Sequence, residues 1–481
     1  MSTVDENQLP LNVVPAEPFR RGHPIIAWLI IVALAGWIVW RQMDTPLRNL
    51  KDPEEAGSNL TFELQGKYLI GASNLFGQGG TFYLQAESLK TGAVKQRLQF
   101  VILAGELAGG HEARAQIREL ESDLREEGTA LSETQSELLK LLKIIYGSDP
   151  DNQIVVTDLN AGQLDLLHKQ LGWFGDLART PIGSVERTAV LGSAKVTFLS
   201  CLGLVVFLGV LGLAGLGGLT FYAYFFFSGR LGHGLVFNES TGGIYAEAFA
   251  TWLLLFLGLN KIAALCLQGF RFPLLVSESV TLLSLAGAAA WPVFRGIPWR
   301  QVRREIGLTL GEKPLLEPFI GIANYAMMIP ILGVGVVLTW LAMMLQSAIL
   351  GGNIHANAPS HPITPVVAGG DWWVRVQVLL LASVIAPIVE ETVFRGLLYR
   401  HLREVTNRWG RFLSVVVAGT LVSFVFAAIH PQGLVTVPAL MSIAYGLTLV
   451  REWRGTLIPS MVTHGISNGV VMSFIIVTAS N

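Results

Sequence analysis

The sequence predicts an all-α polytopic membrane protein of about nine transmembrane helices, with a mixed α/β or α-rich soluble domain inserted between the first and second spans. Three observations carry that reading. Of the 481 residues, 51% are hydrophobic and only 14% charged, against roughly 25% charged for an ordinary soluble domain. The charge is unevenly placed, because residues 41–195 hold 37 of the 69 Asp, Glu, Lys and Arg side chains. Outside that stretch, apolar runs of spanning length recur along the chain.

The first run, Pro24 to Trp40, follows a segment containing Asp5, Glu6 and Glu17 and lacks a small-residue cleavage pattern before Arg41. It reads as an uncleaved signal anchor. The other runs occupy about Val196 to Phe227, Ala246 to Leu267, Phe272 to Phe294, Pro318 to Leu345, Val376 to Phe394, Phe412 to Ile429, Leu434 to Val450 and Leu457 to Val477. Four segments follow: 1–40 as cytoplasmic N-terminus and anchor, 41–195 as a soluble domain, 196–295 as three spans, and 296–481 as the remaining spans. With the N-terminus inside, the segments that fall on the cytoplasmic side carry the arginines, among them Arg20, Arg21, Arg230, Arg300, Arg303, Arg304, Arg400 and Arg451. The short outer segments carry only Arg271 and Arg375. Positive flanks are retained in the cytoplasm, so N-inside, C-outside is the expected topology. The lipid bilayer is the expected surrounding.

Residues 41–195 then lie outside the cytoplasm. Phe82 and Leu84, and later Leu98 and Phe100, alternate with polar positions between glycine-rich breaks, which predicts short strands within 60–102. From Glu112 to Tyr146, Ile117, Leu120, Leu124, Leu131, Leu138 and Leu142 recur at helical spacing, interrupted at Gly128. His111-Glu112 is not a zinc-protease signature, since the position four after the histidine is Ala115. No motif names a partner for this domain, and a structural or partner-binding role is expected of it.

A net charge of −1 offers no excess of Lys and Arg to displace counterions from phosphates, so no nucleic-acid partner is expected. Cys201 and Cys266 lie on separate apolar runs, so neither a disulfide framework nor a thiolate metal site is expected.

Ionisable side chains inside spans are costly and therefore informative. Lys261 and Glu278 flank the turn at 268–272 at similar depth and are expected to pair. In Glu390-Glu391-Thr392-Val393-Phe394-Arg395, Glu391 and Arg395 are four apart with the acid first, the favourable order for an ion pair, whereas Glu390 points about 100° away. His430 closes the seventh run, in Phe426-Ala427-Ala428-Ile429-His430. His464 and Asn468 share a face of the last one. Helix rise alone leaves Glu390, His430 and His464 spread over about 15 Å in depth. Two histidines and a glutamate could also make a three-ligand zinc site.

Glu390-Glu391-x-x-x-Arg395, Phe426-x-x-x-His430 and His464-x-x-x-Asn468, ordered on apolar helices, resemble the CPBP family, the CAAX prenyl protease and bacteriocin-processing (Abi) family of intramembrane glutamic endopeptidases. The resemblance covers roughly residues 300–480 and makes 296–481 a catalytic domain. It implies metal-independent peptide hydrolysis without a cofactor, with Glu390 and His430 activating water, and His464 and Asn468 stabilising the oxyanion. Glu391 and Arg395 would support the site. The expected substrate is a peptide or membrane protein entering from the bilayer or the cytoplasmic side. The breadth of the family points to a bacterial inner membrane. The competing reading is a catalytically idle scaffold or bacteriocin-immunity protein whose outer domain binds a partner. A transporter would show matching inverted halves, and the sequence has none.

Overall fold

The computed structural model describes residues 22–44, 53–90, 92–147, 159–232, 241–266, 273–350 and 370–480, with residues 235, 237, 363, 366 and 367. Arg20, Arg21 and Arg271 lie outside the described residues. Among the described residues every regular element is helical. Nine helices among the described residues are long and apolar enough to cross a membrane: α1 (Pro24–Asp44), α9 (Val185–Phe227), α10 (Ile244–Cys266), α11 (Pro273–Phe294), α13 (Glu317–Leu350), α14 (Trp372–Trp409), α15 (Arg411–Ile429), α16 (Val437–Arg454) and α17 (Ile458–Ser480). The chain is a multi-pass membrane protein.

Between α1 and α9 lie α2 (Pro53–Phe76), α3 (Gly79–Ala86), α4 (Val94–Ala108), α5 (Gly110–Glu126), α6 (Glu133–Gly147), α7 (Ala161–Leu171) and α8 (Trp173–Arg179). The strands expected in 60–102 are therefore corrected to helices. The physical reason lies in α4, where Leu98 through Ala104 are all buried. A helix surrounded by neighbours is apolar on every side and shows no 3.6-residue period, so its local alternation imitates a strand. The helical stripe from Ile117 to Leu142 folds as α5 and α6, broken around Gly128, whose φ of 64° favours glycine.

The apolar run at 196–227 is one helix and begins eleven residues earlier than its hydropathy, at Val185, with Ser184 capping the Arg187 amide. At 1.5 Å per residue its 43 residues extend about 65 Å, roughly twice the hydrocarbon thickness. Its first turns belong to the core of α2–α8: a Cβ on Gly71 of α2 would lie 2.2 Å from the Ala194 carbonyl of α9. Arg187 donates to the Leu177 and Thr180 carbonyls at 2.9 Å and pairs with Glu106. The α2–α8 helices are thus mounted on a rigid stalk.

Burial pushes the Glu106 carboxyl above its ordinary value of 4.5, against the opposing pull of Arg187. The native state then holds a proton that the unfolded chain releases, so this group's contribution is complete below 4.5 and is lost as pH rises through its folded pKa. Glu106→Gln is expected to flatten that part of the stability profile, read as the thermal midpoint of wild type and variant between about pH 4 and pH 7.

In the membrane bundle, α13 packs against α9, α16 and α17, α10 against α11 and α1, and α15 against α16. A Cβ on Gly215 would meet the Ala326 carbonyl at 2.0 Å, so α9 approaches α13 closely at this glycine, as small residues allow in helix packing. The expected Lys261–Glu278 pair is not formed, and Lys261 is exposed. Helices α14 and α16 are tied instead by Arg403 and Glu452, at 2.9 and 3.0 Å.

Candidate active site

α14 is a helix with two widened turns, π-helical at Leu381–Ile385 and Glu391–Leu398. Such turns are rare and occur often at functional sites. The first has a local cause in Pro387, which has no N–H to give. The Ala386 amide reaches back five residues to the Leu381 carbonyl. Neither Ala386 nor Pro387 can then serve the Ala382 carbonyl. Asn468 of α17 does, donating from Nδ2 at 2.9 Å. Gly465 permits this approach, since a Cβ there would lie 2.4 Å from the Ser383 carbonyl.

Of the side chains read from the sequence, His430 and His464 meet at Glu390, whereas Asn468 is engaged by the Ala382 carbonyl. His430 Nε2 and His464 Nε2 each lie 3.7 Å from Glu390 Oε2. Helix α15 stops at Ile429, and His430 leaves it in an extended conformation, with its ring 4.0 Å from that of Phe426. Its Nδ1 contacts the Phe426 carbonyl. A carbonyl only accepts, so Nδ1 carries a proton, and in the neutral ring Nε2 then presents a lone pair toward Glu390.

His464 is held in the same sense. Its Nδ1 lies 2.9 Å from Glu391 Oε1, the oxygen that also accepts from Arg395 Nη1 at 2.9 Å. Arg395 donates further to the Ala444 carbonyl of α16 at 2.9 Å and stacks on Phe426, 4.8 Å from the ring centre. Glu391 and Arg395 are both fully buried, so the pair expected from spacing forms inside the bundle. A carboxylate accepts from His464 Nδ1–H, which in the neutral ring turns a second lone pair toward Glu390. Side-chain exposure falls from 25% at Glu390 and 19% at His430 to 4% at His464, so the cluster opens on its Glu390–His430 side. Among the described residues, no group of three or more His, Cys, Asp or Glu side chains is arranged to hold a metal ion.

Residues 371–470 match the family described as type II CAAX prenyl endopeptidase Rce1-like. This segment is Rce1-like. It contains Glu390, Glu391, Arg395, His430, His464 and Asn468. No curated protein and no solved structure matches the chain.

Outside the Rce1-like segment, one side chain that sequence reasoning missed reaches the cluster. Gln42, in the last turn of α1, donates from Nε2 to the His430 carbonyl at 2.9 Å. That carbonyl ends α15 and has no partner within the helix. A lone glutamine after an apolar run carries no signal of such a contact. Gln42→Ala is expected to loosen His430 and lower turnover about tenfold with little change in substrate affinity, the loss of one hydrogen bond. Glutamate, which lacks the donor, should behave like alanine in steady-state kinetics.

The structure gives Asn468 a partner that spacing did not suggest. One amide hydrogen serves the carbonyl orphaned by the π turn, and the other remains for a further acceptor. Asn468→Leu is expected to cost about 1–3 kcal/mol, the penalty for an unsatisfied buried carbonyl. A thermal or denaturant midpoint measured beside activity checks it.

Proposed function

We propose that the chain is an intramembrane endopeptidase in which Glu390 deprotonates a water molecule that attacks a peptide carbonyl. One observation carries this reading: the Nε2 atoms of two histidines each lie 3.7 Å from the same carboxylate oxygen, Glu390 Oε2, and with both rings neutral all three atoms are acceptors. Three acceptors repel one another unless a donor lies among them, and water supplies two hydrogens. His430 and His464 orient that water, and Glu390 takes its proton and returns it to the departing amine. The remaining amide hydrogen of Asn468 is free to donate to the charge that develops on the carbonyl oxygen.

The substrate is a peptide or membrane-associated protein reaching the cluster from its Glu390–His430 side. That side adjoins the end of α1 from which the chain runs into α2–α8, as the Gln42 contact shows. The arginine distribution makes it the outer side of the membrane, with the N-terminus inside, and a bacterial inner membrane suits a protein of this kind. Residues 41–195 lie where they meet substrate or a partner first.

The test is purified wild-type protein incubated with a library of membrane peptides, prenylated and unprenylated, with and without a chelator, and read by mass spectrometry. Chelator-resistant cleavage is expected. Cleavage abolished by chelator and restored by zinc would replace the glutamate mechanism with a metal one.

A further inference from the structure

At the end of the bundle where α11 passes into α13, the chain forms the short helix α12 (Trp299–Glu305). Its exposed side chains are Trp299, Arg300, Arg303 and Arg304. Of the two acids between 295 and 316, Glu305 is turned inward, accepting from Tyr245 at 2.7 Å and facing Arg400 at 3.4 Å. Glu312 is exposed, as is Lys313. None of Arg300, Arg303 and Arg304 has a side-chain partner among the described residues. Large apolar side chains are exposed on the flanking segments, Phe294 at 81% and Leu315 at 88%. Unpaired cations flanked by exposed apolar groups at the end of two spans lie where lipid headgroups meet acyl chains.

Next to this patch is a cleft of about 490 Å³ whose walls include Arg303, Thr309, Leu310, Leu457, Ile458 and Met461. One cation stands at its edge and its floor is largely apolar. We propose that this cleft binds a single anionic phospholipid, the phosphate against Arg303 with Arg300 and Arg304 adding charge, and the upper acyl chain on Leu457, Ile458 and Met461. The volume holds a headgroup and the start of a chain, with the rest of the lipid in the bilayer. Charge complementarity selects the occupant: a zwitterionic lipid offers no net charge to three unpaired guanidinium groups, whereas phosphatidylglycerol does. Ile458 and Met461 form the foot of α17, and His464 follows Met461 by three residues, so the lipid would brace the helix that carries it. The proposal stands on the spans and the cleft, independently of any peptidase activity.

The experiment is native mass spectrometry of the full chain titrated with phosphatidylglycerol, phosphatidylcholine of the same acyl chains, and glycerol phosphate. Wild type is expected to retain one phosphatidylglycerol in preference to phosphatidylcholine, and glycerol phosphate weakly. Arg303→Gln should weaken phosphatidylglycerol about fivefold, the effect of one basic residue at an anionic surface. Met461→Trp, which fills the floor, should abolish the bound lipid without touching a charge. Arg408→Gln, an exposed cation at the end of α14, should change nothing. Equal retention of the two lipids, or equal losses for Arg303→Gln and Arg408→Gln, would overturn the proposal. Tight glycerol phosphate binding with no effect of Met461→Trp would overturn it too, by reducing the site to a phosphate patch.

Discussion

Glu390→Gln is expected to lower peptide cleavage by about a hundredfold to ten-thousandfold, the contribution of a positioned general base. The substitution keeps size and shape but removes the proton acceptor, and puts an amide beside two histidine lone pairs. An amide nitrogen there could donate to either Nε2, since each lies 3.7 Å from the present carboxylate oxygen. Fold and substrate affinity should therefore be kept while turnover collapses, which separates a chemical role from a structural one. Single-turnover kinetics with a cleavable peptide, alongside a thermal midpoint, provide the measurement. A variant that melts like wild type and cleaves at the wild-type rate would remove Glu390 from the chemistry.

The second large effect is expected at Arg395. The Glu391–Arg395 pair has no exposure at all, and removing one partner of such a pair leaves an uncompensated buried charge, at a cost of about 3–5 kcal/mol. Arg395→Met should also empty the Ala444 carbonyl and withdraw the cation from Phe426. The double variant Glu391→Leu/Arg395→Met separates stability from chemistry. Apolar replacement of both partners of a buried pair is often neutral or stabilising, so the double variant should recover much of the midpoint. It should not recover activity, because His464 Nδ1 would lose the acceptor that turns Nε2 toward Glu390. Recovery of both together would assign the pair a purely structural role.

Much of the bundle was legible because a membrane leaves the backbone few options. A run long enough to cross hydrocarbon must satisfy its own amides and so becomes a helix, and nine such helices are found among the described residues. The Glu391–Arg395 pair was legible for a similar reason, since a spacing of four on one helix is a local rule. Helices α2–α8 were read less well. Leu98 to Ala104 carry the composition of a buried segment without the period that tells helix from strand. Lys261 and Glu278 show the limit of depth arguments: similar height on a hairpin does not orient two side chains toward one another.

Span number, the ordered polar motifs and the candidate residues therefore follow from composition and spacing within single segments. The meeting of Glu390, His430 and His464 does not, because helix rise spread them over about 15 Å. Their convergence depends on a π turn opened at Pro387, on Asn468 and Gly465 drawing α17 against that turn, and on His430 stepping out of α15. The contact from Gln42 links residues 388 positions apart. Each of these is a relation between atoms on different helices, set by packing and by carbonyls that need a donor, and no periodicity along one helix encodes it.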